Sequence, residues 1–336
     1  MLNTPDPHAG ILAIDTHVDI PWPTGPSPFE DGSRCVDLPK LKTGRIAAVC
    51  FAAYVPQAAR NEAGHQAAAT RARRMLDAIA AMAPADGSGG TLASTADKIE
   101  AAFAAGKTAI IPAIENGYAI GKDISLLDEF AARGVRYITL THNGHNEIAD
   151  AAIPRRDLGD SETEHGGLSA FGVAVVKRMN ELGILIDISH SAKTTMMQVT
   201  RLSRSPVVAT HSCMKALCDH PRNLDDEQLE ALRATGGLAQ VTIVSNFLRP
   251  RARAQDLTTA DIADHIDYAV QKIGVEHVGI GTDFDGGGGV SDFQNAAQSP
   301  RLTQELARRG YDHEALQKIW GGNFLRLLRK AEAIKV

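Results

Sequence analysis

No stretch of the sequence reaches the roughly 18–20 consecutive apolar residues that a membrane-spanning helix needs. Basic charge is not in excess either. The net charge is -5, which leaves no electrostatic footprint for nucleic acid. Cysteine is scarce: Cys35, Cys50, Cys213 and Cys218 form no C-x-x-C pair. They read as free thiols of a reducing compartment, so a cytoplasmic location is expected. Residues 1–10 are polar and carry no secretory leader, Gly does not follow Met1, and the C-terminus lacks a prenylation cysteine. No membrane attachment is expected. The glycine runs at 279–281 and 286–289 lack G-x-G-x-x-G spacing, which argues against a dinucleotide site. With no fixed-period repeat, low-complexity tail or linker, residues 1–336 are expected to form a single domain.

The sequence is 44% hydrophobic and 22% charged, the balance of a chain able to bury a core. Eight short apolar runs begin near residues 11, 46, 108, 135, 184, 207, 238 and 278, with helical patterns between most of them. The helical stretches are 64–83, 95–104, 126–132, 171–182, 194–202, 225–235 and 262–273, followed by two C-terminal helices at 302–309 and 313–333. Ser94 or Thr95, and the Asp225/Gln228 pair, mark helix starts. This α/β alternation predicts a parallel sheet closed into a (β/α)8 TIM barrel with C-terminal helices. An open doubly wound sheet is the alternative. The loops 21–31 and 144–167 are expected to shape a pocket, the second because so long a polar loop in a compact fold is usually functional.

The first run, 11–19, ends in Asp15, His17 and Asp19. Residues two apart in a strand point the same way, so His17 and Asp19 project together. Further metal-type residues fall at other strand ends: Glu115, His142, His190, His211 and Asp283. In a barrel those ends meet on one face, where active sites lie. Singly, each has an ordinary alternative: Glu115 as a helix cap, His142 satisfied by its own loop, Asp283 and Asp285 holding turn amides. Jointly they are a constellation. Three imidazoles and two carboxylates (His17, His190, His211, Asp19, Glu115) exceed one tetrahedral site and suit two zinc-like ions that share a carboxylate, with Glu115 the natural bridge. The remaining histidines, His8, His65, His145, His165, His220, His265, His277 and His313, read as solvated or incidental.

Across these residues the chain resembles the membrane (renal-type) dipeptidase family of the amidohydrolase superfamily. The resemblance runs through Asp15–Asp19, Glu115-Asn116-Gly117, the stretch 136–143 ending in Thr141-His142-Asn143, the stretch 185–190, Thr210-His211-Ser212, Pro221-Arg222-Asn223 and Asp283-Phe284-Asp285-Gly286. It implies a (β/α)8 barrel with two Zn2+ ions, bridged by Glu115 and a water or hydroxide, that hydrolyses dipeptides of L,L and, as an open point, L,D configuration. By the same resemblance His17, Asp19 and Glu115 hold one metal and Glu115, His190 and His211 the other. His142 stabilises the oxyanion and contacts substrate, Arg222 binds the substrate carboxylate, and Asp283 transfers the proton. The chain departs from the family pattern at Val18, at Asn116, and in 243–248, which has no tyrosine. Two rivals remain: another hydrolase of the scaffold, acting on a cyclic amide, lactone or phosphoester, or a non-catalytic metal-binding barrel. Many relatives in the superfamily bridge their metals with a carboxylated lysine. Here the third run ends in Glu115 and carries Lys107 at its start, which favours the dipeptidase branch. The expected partner is a dipeptide, and a homodimer is a candidate assembly.

Overall fold

The computed structural model describes residues 6–20 and 23–336. Residues 1–5 and the first two of the loop 21–31 therefore lie outside the described residues. Among the described residues there are nine strands: β1 (Ala13–Asp19), β2 (Ile46–Tyr54), β3 (Thr91–Leu92), β4 (Ala109–Glu115), β5 (Tyr137–Thr139), β6 (Leu185–Asp187), β7 (Val207–Ser212), β8 (Leu238–Val241) and β9 (Val278–Ile280). Eight of them are the expected apolar runs. The two-residue β3, too short to carry a periodic signal, is an addition paired to β4.

All pairings are parallel, in the order β1-β2-β4-β5-β6-β7-β8-β9. The seam between the first and last strands is closed just beyond β9, where Asp283 N donates to His17 O (2.9 Å) and Asp19 N to Phe284 O (3.0 Å). Asp15 reinforces it, accepting from Thr282 Oγ1 (2.6 Å) and Thr282 N (3.0 Å). The barrel is thus the closed alternative, not the open sheet. No helix among the described residues is long and apolar enough to cross a membrane.

Period-two alternation positions the site. Ile111, Leu185, Val208 and Leu238 belong to one buried cluster, together with Phe324, Leu327 and Leu328 of the C-terminal helix Asn323–Ala333. Residues two or four further along share their faces: Glu115, Asp187, Thr210 and Gln240, all buried. The strands therefore present apolar side chains toward their N-terminal ends and polar ones toward their C-terminal ends.

The helices match expectation with shifted ends, and both predicted starts are capped: Thr95 accepts from Lys98 N, and Asp225 and Gln228 form a reciprocal capping box. One expectation is corrected. The helix expected over 313–333 is interrupted by a π-helical turn, Lys318–Gly322. Gly321 passes so close to β1 that a Cβ there would sit 2.2 Å from Leu12 O, so the chain must bulge around the barrel wall.

A second correction concerns the histidines read as incidental. His8, His145 and His265 are buried. His265 accepts from Met214 N (3.0 Å) and donates to Leu248 O (2.9 Å). His145 accepts from Ala151 N (3.0 Å), while its Nε2 meets Ser161 O (3.1 Å). His8 meets Thr303 Oγ1 at 2.6 Å. His145 and His265 satisfy backbone groups of irregular segments and His8 meets a hydroxyl of the helix Ser299–Arg308, roles that leave no periodic trace in sequence.

The loop 144–167 is ordered by two buried carboxylates. Asp160 Oδ2 accepts from His145 N and Arg155 N (both 2.8 Å). Asp150 accepts from Glu164 N (3.1 Å), His165 N (3.0 Å) and Gly167 N (3.0 Å). Burial pushes the Asp150 carboxyl up, but these amides hold it below the usual carboxylate range. Its stabilisation is therefore complete above about pH 4 and fades as the pH falls through the lowered folded value. Asp150→Ala leaves three N–H groups without their acceptor and should lower the unfolding free energy by about 3 kcal/mol at pH 7. Denaturant titration near pH 3 should show a smaller difference. An equal loss at both pH values would show that the charge is not the anchor.

Candidate metal centre and active site

Glu115, the last residue of β4, is 3% exposed and points its carboxylate into a ring of imidazoles. Its Oε1 lies 3.1 Å from His190 Nε2, 3.5 Å from His211 Nε2 and 3.8 Å from His142 Nε2. Its Oε2 lies 3.7 Å from His17 Nε2, which is 3.8 Å from Asp19 Oδ1. Two ligands of one tetrahedral ion with bonds of about 2.0–2.1 Å are roughly 3.3 Å apart, so these separations suit shared coordination. The ligand atoms of His17, Glu115 and His211 lie within 4.8 Å of one another, as do those of Glu115, His142 and His190. The grouping differs from the one the resemblance implies: His211 sits with His17, and His142 joins His190. Three of the other four implied ligands, His17, His190 and His211, nonetheless surround the Glu115 carboxylate, and Asp19 adjoins it through His17.

The outer ring nitrogens fix the tautomers. Tyr137 donates its hydroxyl to Thr16 O (3.0 Å), so its oxygen accepts from His17 Nδ1 (2.8 Å). Thr210 donates to Asp187 Oδ2 (2.7 Å) and accepts from His211 Nδ1 (2.9 Å). Asp187 is itself held by Thr139 Oγ1 (2.6 Å) and the amides of Ser189 and Thr210 (both 3.0 Å). Asn143 Oδ1 faces His190 Nδ1 at 3.1 Å. Each Nδ1 proton is thus directed outward and each Nε2 lone pair inward, the usual arrangement around a ligated metal.

Burial governs the charges. It keeps His142 neutral, with a pKa pushed down to about 3, assisted by the Arg222 charge, and it holds His190 and His211 well below the ordinary imidazole value. It lifts Glu115 to about 7, and lifts Asp19 and Asp283 well above the carboxylate range. His17 Nε2, His211 Nε2 and Asp19 Oδ1 are buried with no hydrogen-bond partner. Imidazoles with unpartnered, inward-facing Nε2 atoms, and carboxylates crowded in a buried cage, fit divalent cations of the zinc type.

Arg222 and Asp283 adjoin the cage. Arg222 is 3% exposed, donates through Nη2 to His211 O (3.2 Å), and keeps an unpartnered Nε. Asp283 lies three residues beyond β9 in left-handed backbone (φ 61°), as does His190 beyond β6 (φ 64°). Such strain in non-glycine residues clusters at functional sites. Asp285, expected to hold turn amides, holds those of Cys35 (2.8 Å) and Val36 (3.1 Å) in a distant loop instead. Lys107 precedes β4 and so lies at the opposite end of the strand from Glu115.

Residues that sequence reasoning passed over are Tyr137, Thr210, Asp187 and Asn143, together with Tyr54, whose ring centroid lies 4.8 Å from that of His142. The period-two faces of β5, β6 and β7 carried the signal for the first three.

The sequence profile of "Membrane dipeptidase (Peptidase family M19)" matches residues 8–336. The chain is 32% identical to "Dipeptidase verJ" of Clonostachys rogersoniana, over 98% of this chain and 86% of that protein. The crystal structure of "the probable dipeptidase PvdM" from Pseudomonas aeruginosa superposes with a TM-score of 0.92 at 29% identity, covering 98% of this chain and 97% of the other. A metallo peptidase from Rhodobacter sphaeroides, liganded with a phosphinate mimic of the dipeptide L-Ala-D-Ala, gives 0.85 at 28% identity, covering 96% and 99%.

The outward hydrogen bonds generate a direct expectation. Tyr137→Phe and Thr210→Val, each freeing one imidazole to turn, should weaken metal binding by about 10–100-fold. Competition with a metal chelator measures it. Wild-type affinity in both variants would show that the rings are oriented by packing alone.

Proposed function

The chain belongs to the membrane dipeptidase family, peptidase family M19, and on that premise we propose that it is a zinc dipeptidase with two metals per chain bridged by Glu115. The observation that carries this reading is the placement of four imidazoles around the two oxygens of one buried carboxylate. His17, Asp19, Glu115, His190 and His211 are the proposed ligands. Bound zinc would supply Lewis acidity, polarising the scissile carbonyl and acidifying a water.

The chain's own residues do the rest. Arg222, tied to His211 O through Nη2, offers its guanidinium to the free C-terminal carboxylate of the substrate. A longer peptide has no carboxylate at that depth, so the arginine selects dipeptides. His142, neutral at working pH, donates an Nε2 proton to the oxygen on which charge develops, a contact stronger in the transition state than before it. Asp283 would take up the proton that the attacking water releases and pass it to the nitrogen of the leaving amine as the peptide bond breaks. Acceptance of a D-residue at the C-terminal side is part of the proposal. It is supported by the L-Ala-D-Ala mimic in the Rhodobacter sphaeroides relative.

A panel of L,L and L,D dipeptides assayed on zinc-loaded protein tests the activity. Cleavage of tripeptides as fast as of dipeptides would refute the clamp. Asp283→Asn should keep its metal and lose about 10²–10⁴-fold in kcat. Near-normal turnover in that variant would remove Asp283 from proton transfer. Arg222→Met should raise KM for dipeptides about 10–100-fold, the cost of a charge-assisted hydrogen bond. An unchanged KM would place the carboxylate elsewhere.

A further inference from the structure

The residue that follows the central carboxylate is an asparagine in an unusual backbone conformation. Asn116 is fully buried and sits at φ 83° and ψ 104°, which is costly for any residue with a Cβ. It is also one of the positions at which the chain departs from the family pattern. Glycine there would accept the φ without strain but bring no side chain. The asparagine amide has all of its hydrogen-bonding positions filled. Nδ2 donates to Val55 O (3.0 Å) and Gln57 Oε1 (3.3 Å). Oδ1 accepts from Tyr118 N and Asn146 Nδ2 (both 3.1 Å).

These bonds reach both ends of the turn that carries His142. At its start, Leu140 O accepts from Asn146 Nδ2 (2.8 Å), the same nitrogen that donates to Asn116. A Cβ on Gly117 would lie 2.8 Å from that carbonyl, so the chain leaving Glu115 packs directly on it. At its end, Gly144 has φ 102°, and a Cβ there would lie 2.8 Å from Gln57 Cγ. Gln57 is 5% exposed, held by Asn116 Nδ2 and by its own bond to Ala58 O (3.1 Å). Between the two anchors lie Thr141, His142 and Asn143. His142 Nε2 faces Glu115 Oε1 at 3.8 Å, and Asn143 Oδ1 faces His190 Nδ1 at 3.1 Å. The Asn116 side chain thus connects the backbone beside the central carboxylate to the turn beyond the neighbouring strand β5. A buried amide network with every member satisfied is rigid, and removing one member leaves the others unpaired.

We propose that Asn116 is a positioning residue: through Asn146 and Gln57 it sets the turn 141–143, and with it the His142 imidazole, against Glu115. The placement of the ring is a matter of structure alone. Its effect on rate rests on the reading of His142 as the donor to the developing oxyanion. A displaced donor loses its value in the transition state, because that stabilisation depends on fixed geometry.

The test combines kinetics with NMR of histidine-labelled, zinc-loaded full chain. The proteins are wild type, Asn116→Gly, Gln57→Met, His142→Ala and the two double variants that include His142→Ala. Gln57→Met is the milder probe, since it cuts one bond and leaves Asn116 Nδ2 on Val55 O. Both substitutions should lower kcat, Asn116→Gly by about 10–100-fold and Gln57→Met by less, with KM for dipeptides little changed. Neither should lower kcat further once His142 is alanine, since a residue that acts through His142 then has nothing to act on. The His142 resonance, identified by its loss in His142→Ala, should shift in both variants. Those of His8 and His265, bonded to other segments, should stay in place. Two results would overturn the proposal: an unshifted His142 resonance in both variants, or losses in kcat that add fully to that of His142→Ala, which make Asn116 merely structural. Failure of the wild type to cleave any dipeptide would instead refute the functional reading, and the His142 resonance would still decide the positioning.

Discussion

Everything in the catalytic face answers to one carboxylate that has been taken out of water. Glu115 sits at the end of a fully buried strand, and its ionised form is opposed by burial and favoured by the charge of Arg222. His142, His190 and His211 beside it are held neutral by the same burial. A cage of neutral donors and reluctant anions is poor company for itself and good company for a divalent cation, which repays the lost hydration of every member at once. The surrounding layer follows from that requirement. A neutral imidazole must choose a tautomer, and Tyr137, Thr210 and Asn143 each take the outer nitrogen so that the inner one stays free.

That geometry costs backbone strain, and the barrel supplies the rigidity to hold it. His190 and Asp283 both occupy left-handed conformations, at about 1–3 kcal/mol each for a non-glycine residue. Asp283 is held by its amide bond to His17 O, which is also a bond of the barrel seam. The strain at the proposed proton-transfer residue and the closure of the fold are therefore one interaction. Loosening the seam between β1 and β9 would move Asp283 relative to His17 before it unfolded anything.

The strand positions and the seven polar residues at their ends were readable because alternation and run length report directly on burial. His17, Asp19, Glu115, His142, His190, His211 and Asp283 lie at or within three residues of the strand ends to which the sequence pattern assigned them. What stayed hidden has specific physical reasons. His145 and His265 look like loose polar residues because their partners are backbone groups of irregular segments. The helix Leu38–Gly44, capped by Asp37 and carrying Pro39 in its first turn, is too short to show a period, and only its cap chemistry could have revealed it. The π-turn at Lys318–Gly322 depends on contact with Leu12 O some three hundred residues away, which no local pattern encodes.

The missing tyrosine in 243–248 also finds its account here. Phe247 occupies that stretch, with the Arg222 guanidinium 5.3 Å from its ring centroid and the His220 ring 4.5 Å away on centroids. An aromatic face attracts the cation without accepting a directed hydrogen bond. In the proposed clamp a tyrosine hydroxyl within reach would be a second polar contact for the substrate carboxylate, and phenylalanine leaves that contact to the guanidinium. The Arg222 Nε, buried and unpartnered, is thus kept free by the chemistry of its neighbours, because the groups that pack against it offer a surface and not an acceptor. Burial without a competing acceptor is what turns an arginine from a surface charge into a selective one.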